Sequence, residues 1–480
     1  MSNILSSLIS TAGALDAFTQ ALEVTQNNVA NAQTPGYAKQ IQILTAMPFD
    51  PADGSTGGVR AAQVASSRDQ YAEQAVRQQN VLLGQAQQNV TSFTSLQSLF
   101  DISGNSGLPN ALNNLFTSFS AWGQTPTSTN ARQAVIDSAT DLANAFRQTA
   151  TGTAQAAQDN NRQIDQTVVQ INQLVGQLAG YNSQAMGHAA PDAGLDAQIN
   201  MTLEQLSQYA SFTASLQSDG SVTVLLNGQV PLVIGDKSYA LQDEPVAPDP
   251  TSPNPGAPPA MRILSSDGTD ITAQVTTGQL GALVNLANTV FPQYLGDGND
   301  AGDLNTMAEQ FANRVNQLLT QGNISDGPPP VAGVPLFTYD TTNATNVAQT
   351  LAVDPTVTGD QLAAISTGPP EVANGVPLAL SGLANPQSSD DEVNGASFSE
   401  FYGNMATRIG NYLNDANSAL QVQQSALAQA QNLRQQVSGV SLDEEATVLL
   451  QFQQAYEANS KLITILNQLS EDTINMLTTA

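Results

Sequence analysis

Asn28-Val29-Ala30-Asn31-Ala32-Gln33-Thr34-Pro35-Gly36-Tyr37 closes a run in which Leu8, Leu15, Leu22 and Val29 recur at heptad spacing, with Ile4 and Phe18 at the companion positions. That spacing is the narrow apolar stripe of a coiled-coil seam. Pro35-Gly36 then reads as a stop that turns the chain away, with Asn28 and Asn31 able to cap backbone groups beside it. The opposite end repeats the device: Leu442, Leu449, Tyr456, Ile463 and Leu477 share a heptad, with Phe452 and Leu466 alongside and Ser470 interrupting. Ser438-Gly439 marks a break before it, and Ser441 with Glu444 predicts a capping box at its start. A helix of about four or five turns is marginal alone in water. Each end therefore needs a partner, and the two are expected to pair.

Between the ends the pattern runs from helix to strand and back. Residues 41–60, rich in Pro and Gly, read as loop or a short hairpin. Helical spacing resumes near Ser66 and continues to Phe100. A short helix follows over about 108–121, with Leu112, Leu115, Phe116, Phe119 and Trp122 on one face, and a long one spans about 128–182. At Phe212 the texture changes. Two β-branched runs flank Asn227-Gly228, a strong hairpin signal. Residues 245–259 hold seven prolines and read as an extended loop. More strand is expected over 261–275, helices over 280–295 and 304–319, an irregular β-rich stretch over 322–385, and a last long helix from Ser397 to Val437.

The fold class that follows is mainly α with β insertions: paired N- and C-terminal helices, a long-helix bundle, and small β-rich domains facing outward. The expected layout assigns 1–40 and 441–480 to the paired ends and 61–211, 278–322 and 393–440 to the bundle. It assigns 212–277 to a β insertion and 323–392 to a second irregular one.

Composition narrows the function. In 480 residues, 41 acidic side chains face 13 basic ones, a net charge of −28. Such a chain repels polyphosphate and anionic headgroups and offers no basic stripe, so neither nucleic acid nor membrane insertion is expected. With no cysteine there is no disulfide or thiolate metal site. No basic n-region precedes Lys39, so any export is expected to proceed without a cleaved signal of the usual kind.

Catalytic chemistry is thin. The sole histidine, His188, sits in a Gly-Ala-Pro loop and reads as exposed rather than as a general base. The acidic loop Asp297 to Asp303 fails the EF-hand pattern, with Ala301 and Ala308 where oxygen ligands are required. A turn leading to Asp303 as a helix N-cap explains it. Asp390-Asp391-Glu392 could join a carboxylate pair for glycoside hydrolysis, but a solvated acidic loop is the plainer reading. No catalytic residue, cofactor or metal is expected.

The two ends carry a resemblance. Asn28 to Lys39 resembles the N-terminal signature of the bacterial flagellar axial proteins, and Ser438 to Tyr456 resembles their C-terminal one. Together, at this length, they are similar to the hook-associated family found between hook and filament, with Gly278 to Leu286 and Val315 to Gly322 as a comparable helical stretch. The family pattern rests on Asn28, Asn31, Thr34, Pro35, Gly36 and Tyr37. Leu283 to Leu286 lacks an arginine often found there in relatives.

The resemblance implies a structural, non-enzymatic protein of the flagellum, outside the cell, that assembles with copies of itself into a helical tube through its terminal helices. It implies as partners the hook protein, an adjacent hook-associated protein and an export chaperone on the C-terminal region, with passage through the flagellar type III apparatus. The alternatives are another axial protein, of hook or rod, or a secreted carboxylate hydrolase carried on the flagellum.

Overall fold

The computed structural model describes residues 2–50, 55–101, 106–187, 192–327 and 329–478, and the side chains of these except at 2, 3, 55, 477 and 478. His188 and the Leu477 side chain lie outside that description. The chain forms two compact units. One comprises residues 1–81, 172–239 and 423–480, the other 82–171 and 240–422.

The first unit begins with α1 (Ser2–Ala30) and a hairpin whose long strands are β1 (Gln40–Ala46) and β4 (Val59–Ser66), with β2 (Phe49–Asp50) and β3 (Ser55–Thr56) towards its tip. The strand pattern in 41–60 thus resolves as a hairpin, with a bulge between Gln42 and Leu44. Next along the chain come α2 (Gln70–Gln97), whose residues from 82 on belong to the second unit, α3 (Gly107–Gln124) of the second unit, α4 (Thr129–Gly187), of the second unit up to 171 and of the first beyond it, and α5 (Ala193–Tyr209) of the first. Helix α5 was legible only as part of a helical stretch. Its start is set by Asp192, whose carboxylate accepts from the N–H groups of Gly194 and Leu195.

A four-stranded antiparallel meander follows: β5 (Phe212–Leu216), β6 (Val222–Leu226), β7 (Val230–Ile234) and β8 (Lys237–Ser238). Asn227 and Gly228 both take positive φ at the β6–β7 turn, as the Asn-Gly pair requires. Fully buried Asn182 of α4 ties this sheet down. Its amide donates to the carbonyls of Val222 and Gly235 and accepts from Val222 N–H.

The second unit holds the apolar core. It continues with β9 (Gln242–Val246), β10 (Ala260–Leu264), α6 (Gly278–Asn285), a π-turn over Leu286–Val290, α7 (Phe291–Leu295) and α8 (Asp303–Gln321). Then come the short strands β11 (Asn323–Ser325), β12 (Val331–Ala332), β13 (Phe337–Thr338) and β14 (Ala352–Val353), with α9 (Val347–Thr350) between the last two. The remaining helices are α10 (Gly375–Gly382), α11 (Phe398–Ser438) and α12 (Leu442–Thr478); α11 from residue 423 on and all of α12 belong to the first unit.

Phe311 on α8 is the core's aromatic hub. It meets Phe398 edge-on at 5.0 Å, Phe337 at 5.9 Å and Phe116 at 6.2 Å, and fully buried Trp122 lies in the same cluster. Residues 323–392 feed Leu336, Phe337, Leu351, Leu362 and Leu380 into this core. Each of these side chains gains about 1.5–3 kcal/mol by burial there. Within that stretch 375–382 is helical, where the sequence texture reads as irregular.

Two local expectations need correction. Asp303 is the first residue of α8 rather than its N-cap: Gly302, at φ +83°, precedes it, and the Asp303 carboxylate pairs with Arg408. The Ser441 capping box is half made. Ser441 Oγ accepts from Glu444 N–H at 3.4 Å, while the Glu444 carboxylate turns to Lys39 instead of reaching back to Ser441.

Candidate assembly site at the paired chain ends

Helices α1 and α12 pack along each other in antiparallel fashion, each serving as the partner the other needs. Phe18 and Phe452 meet at 6.3 Å, and further along Asn28 meets Glu445. Ile4, Leu8, Leu15, Phe18, Leu22, Leu449, Phe452, Ile463 and Leu466 are half-buried in the single chain. Val29, Leu442 and Tyr456 stay exposed, at 43, 53 and 40%. What α1 buries outright are the small and polar residues Ala14, Ala17, Ala21, Thr25 and Asn28, because this helix also packs against β1, β3 and β4.

The motif after α1 is held by one amide. Asn28 is 1% exposed. Its Oδ1 accepts from Gln40 N–H at 2.9 Å and its Nδ2 donates to Gln40 O at 2.8 Å, so the side chain imitates the edge of a neighbouring strand. The same Nδ2 donates to Glu445 Oε2 at 3.0 Å, and Tyr37 O–H donates to Asn28 Oδ1 at 2.8 Å. Asn31 caps the helix end by donating to Asn27 O, and Thr34 Oγ1 donates to Asn31 Oδ1. Gly36 adopts φ +76°, and a Cβ there would come within 2.7 Å of the Ala197 carbonyl on α5. No other residue type fits that turn without strain.

Charge closes the arrangement. Lys39 Nζ lies 3.0 Å from Glu445 Oε1 and 3.2 Å from Glu444 Oε2. Burial pulls the Lys39 ammonium down, but hydrogen bonds and charge from Glu445 and Glu444 outweigh it and hold its pKa above the ordinary lysine value. Burial, then the Glu445 charge, pushes the Tyr37 phenol up. The break between α11 and α12 is stitched to the same place: Lys39 N–H donates to Ser438 O, and Asp69 N–H to Ser438 Oγ.

A second ionic cluster lies in the same unit. Arg68 donates to Glu73 at 2.6 Å, to Asp196 at 2.9 Å and to the Gly36 carbonyl at 2.6 Å. Arg434 donates to Glu204 at 2.6 Å and to Glu73 at 3.3 Å. Burial lowers the Arg434 guanidinium, yet Glu204 and Glu73 together hold it above its usual value. Glu73, nearly buried, bridges the two arginines. The sequence reading did not single out this cluster or Glu445 as contacts. The available signal was scarcity, since a chain with 13 basic residues among 41 acidic ones places Lys39, Arg68 and Arg434 where carboxylates converge.

Two of the acidic groups singled out in the sequence have hydrogen-bond partners of their own. Asp391 accepts from Arg314 Nε at 2.7 Å, and Asp297 Oδ1 accepts from the N–H groups of Asn299 and Asp300 within its own turn. Among the described residues no helix is long and apolar enough to cross a membrane.

With both ends so arranged, comparison with known proteins decides the family. The family described as flagellar hook-associated protein FlgK helical domain matches residues 93–337. The chain belongs to the flagellar hook-associated protein family. The flagellar basal body rod FlgEFG protein C-terminal family matches residues 431–476, and the flagella basal body rod protein family matches residues 10–37, the two ends that pair here. Flagellar hook-associated protein 1 of Bacillus subtilis is 26% identical over 96% of both chains, and that of Escherichia coli is 24% identical over 98% of this chain and all of its own. The flagellar hook junction protein FlgK of Burkholderia pseudomallei shares the fold, with a TM-score of 0.63 over 76% of this chain and all of that one, at 17% identity. This member of the hook-associated family is an axial structural protein of the bacterial flagellum at the hook–filament junction.

Proposed function

We propose that this chain joins hook to filament by assembling with copies of itself through the outer faces of α1 and α12. The observation that carries this reading is the apolar surface left on the paired helices: Leu5 and Ile9 on α1 and Leu462, Ile465 and Leu469 on α12 remain exposed in the single chain. Such contiguous apolar spacing on a paired helix marks an interaction surface. The seam residues Ile4, Leu8, Leu15, Phe18, Leu22, Val29, Leu442, Leu449, Phe452, Tyr456, Ile463, Leu466 and Leu477 then serve both the pair and its neighbours. Asn28, Asn31, Thr34, Pro35, Gly36 and Tyr37 fix the turn that leads out of it.

On this reading residues 1–40 and 441–480 form one assembly domain split across the chain. Its neighbours are the hook protein on one side and another hook-associated protein on the other. The ends reach the cell exterior through the flagellar export apparatus, the C-terminal region being held by a chaperone beforehand, and the protein works without catalysis or a cofactor. Deleting residues 1–35 or 441–480 is expected to leave a folded remainder that builds no junctions. Junctions in cells that make only such a truncated chain would overturn the proposal. Labelling the protein in electron micrographs separates it from the hook and rod alternatives, which would place the label away from the hook–filament boundary.

A further inference from the structure

Asparagine followed by glycine is chemically unstable in water, because glycine has no side chain to shield its backbone nitrogen from the neighbouring carboxamide. The chain holds three such pairs: Asn227-Gly228, Asn374-Gly375 and Asn394-Gly395. The fold restrains the first two. Gly228 N–H donates to Leu225 O at 3.2 Å and Asn227 N–H to Ser211 O at 3.0 Å, in a turn of the four-stranded meander. Gly375 N–H donates to Val372 O at 3.0 Å, and the Asn374 carboxamide donates to Gly123 O at 2.7 Å. The third pair has no such ties. Asn394 and Gly395 are both exposed, and among the described residues neither the Asn394 carboxamide nor Gly395 N–H has a hydrogen-bond partner. They sit at φ +50° and +81° in a turn closed by one pair of bonds, Val393 N–H to Ala396 O and Ala396 N–H to Val393 O. That bridge stands outside the named strands, so no neighbouring strand holds it shut.

We propose that Asn394 is a site of spontaneous deamidation, and that its product alters the start of α11 as the chain ages. When the Val393–Ala396 pair opens, Gly395 N loses its proton to water or hydroxide and attacks Asn394 Cγ. A bond forms between that nitrogen and Cγ, the Cγ–Nδ2 bond breaks, and ammonia leaves. Water then opens the cyclic imide. Attack at Cγ gives aspartate, and attack at the backbone carbonyl gives isoaspartate, in which the chain runs through the former side chain. Nothing is oxidised or reduced, and water is the only reactant added. The turn must open first, so the ties that the other two pairs carry and this one lacks decide which site reacts. The place matters because both flanks are anchored. Val393 is fully buried, and Phe398 meets Phe311 edge-on at 5.0 Å. Between them Ser397 Oγ accepts from Glu400 N–H at 3.2 Å, capping the first turn of α11. Isoaspartate adds one backbone atom between these anchors, and the exposed cap is where the chain can take up the slack. Either product also adds a carboxylate to a stretch that already carries Asp390, Asp391 and Glu392.

The experiment ages the purified full-length chain in warm, mildly alkaline buffer, with a second sample in strong urea. Peptide mass spectrometry then counts aspartate and isoaspartate at each of the three asparagines. In urea all three are expected to react at comparable rates, since each precedes glycine. In the folded chain Asn394 is expected to react at least about tenfold faster than Asn227 or Asn374, the weight of the extra hydrogen bonds that those sites must break. Hydrogen exchange in the first turn of α11 should quicken in aged protein. Aged Asn394→Gly, which accepts the same positive φ and carries no carboxamide, should keep the protection of its own fresh sample. Equal or slower reaction at Asn394 in the folded chain would overturn the proposed site. Unchanged exchange at the start of α11 in protein rich in isoaspartate, or the same quickening in aged Asn394→Gly, would overturn its structural consequence. The reaction needs only water, so either result leaves the assembly reading where it stands.

Discussion

The core around Phe311 and the paired chain ends are both helical, yet they are held by different physics. Around Phe311, Trp122, Phe119, Phe146 and Leu115 are buried almost completely, and stability there comes from apolar area and close packing. Along α1 and α12 the larger apolar side chains are half-buried or exposed. The fixed points are polar: Asn28 on Gln40, Lys39 on Glu444 and Glu445, Arg68 on Glu73, and Ser438 on the hairpin base. On the proposed assembly, a region that keeps apolar surface for neighbours cannot bury all of it in its own fold. Directional bonds at one end of the pair set its geometry and leave the rest available.

Breaking the core should separate the two behaviours most sharply. Phe311→Ala is expected to cost about 3–5 kcal/mol in denaturant unfolding, because its three aromatic neighbours cannot close the cavity. Protection of α1 and α12 in hydrogen exchange should be unchanged; if both regions melt together, the distinction drawn here fails. Asn28→Ala is the reciprocal test. It strands Gln40 N–H and its carbonyl and removes a donor from Glu445, a local loss of about 2–3 kcal/mol. Hydrogen exchange should then quicken in α1 and the first turn of α12 and not around Phe311.

Gly36→Ala should cost about 1–3 kcal/mol, through positive φ and the Ala197 carbonyl. A crystal structure of this variant should show the 34–37 turn displaced from α5. The effect of pH should be smaller and confined to the alkaline side. Lys39 holds its proton more tightly folded than unfolded, so its contribution is complete below about pH 10.4 and fades as pH rises through the higher folded value. The raised Tyr37 phenol acts in the same direction. Exchange protection at the ends should therefore be level across neutral pH and fall only above about pH 10. Smallest of all, Leu469→Ser should change the stability of the single chain by less than about 0.5 kcal/mol, as an exposed side chain does. Its effect should appear only as lost incorporation into flagella.

Much of the helical architecture was legible because its signals are local. The long helices, the Asn227-Gly228 hairpin, the stop at Pro35-Gly36 and the break at Ser438-Gly439 each arise from spacing or backbone preference within a few residues. The short elements were less legible. Helix α5 depends on one capping aspartate, α10 on a glycine- and proline-bearing octapeptide, and the strands between 323 and 353 on a core already present to receive them.

By itself the sequence determined that helices with apolar stripes lie near both of its ends, because heptad spacing and helix stop signals are local. Only the tertiary structure decided what locks those ends. Asn28 meets Glu445 across 417 positions and Arg434 meets Glu73 across 361, and no local pattern encodes which rare cation or buried amide will find which carboxylate. The heptads state that a partner is needed. The polar contacts at their base state where it sits, because hydrogen bonds and ion pairs depend on direction and distance, which exist only once the chain has folded.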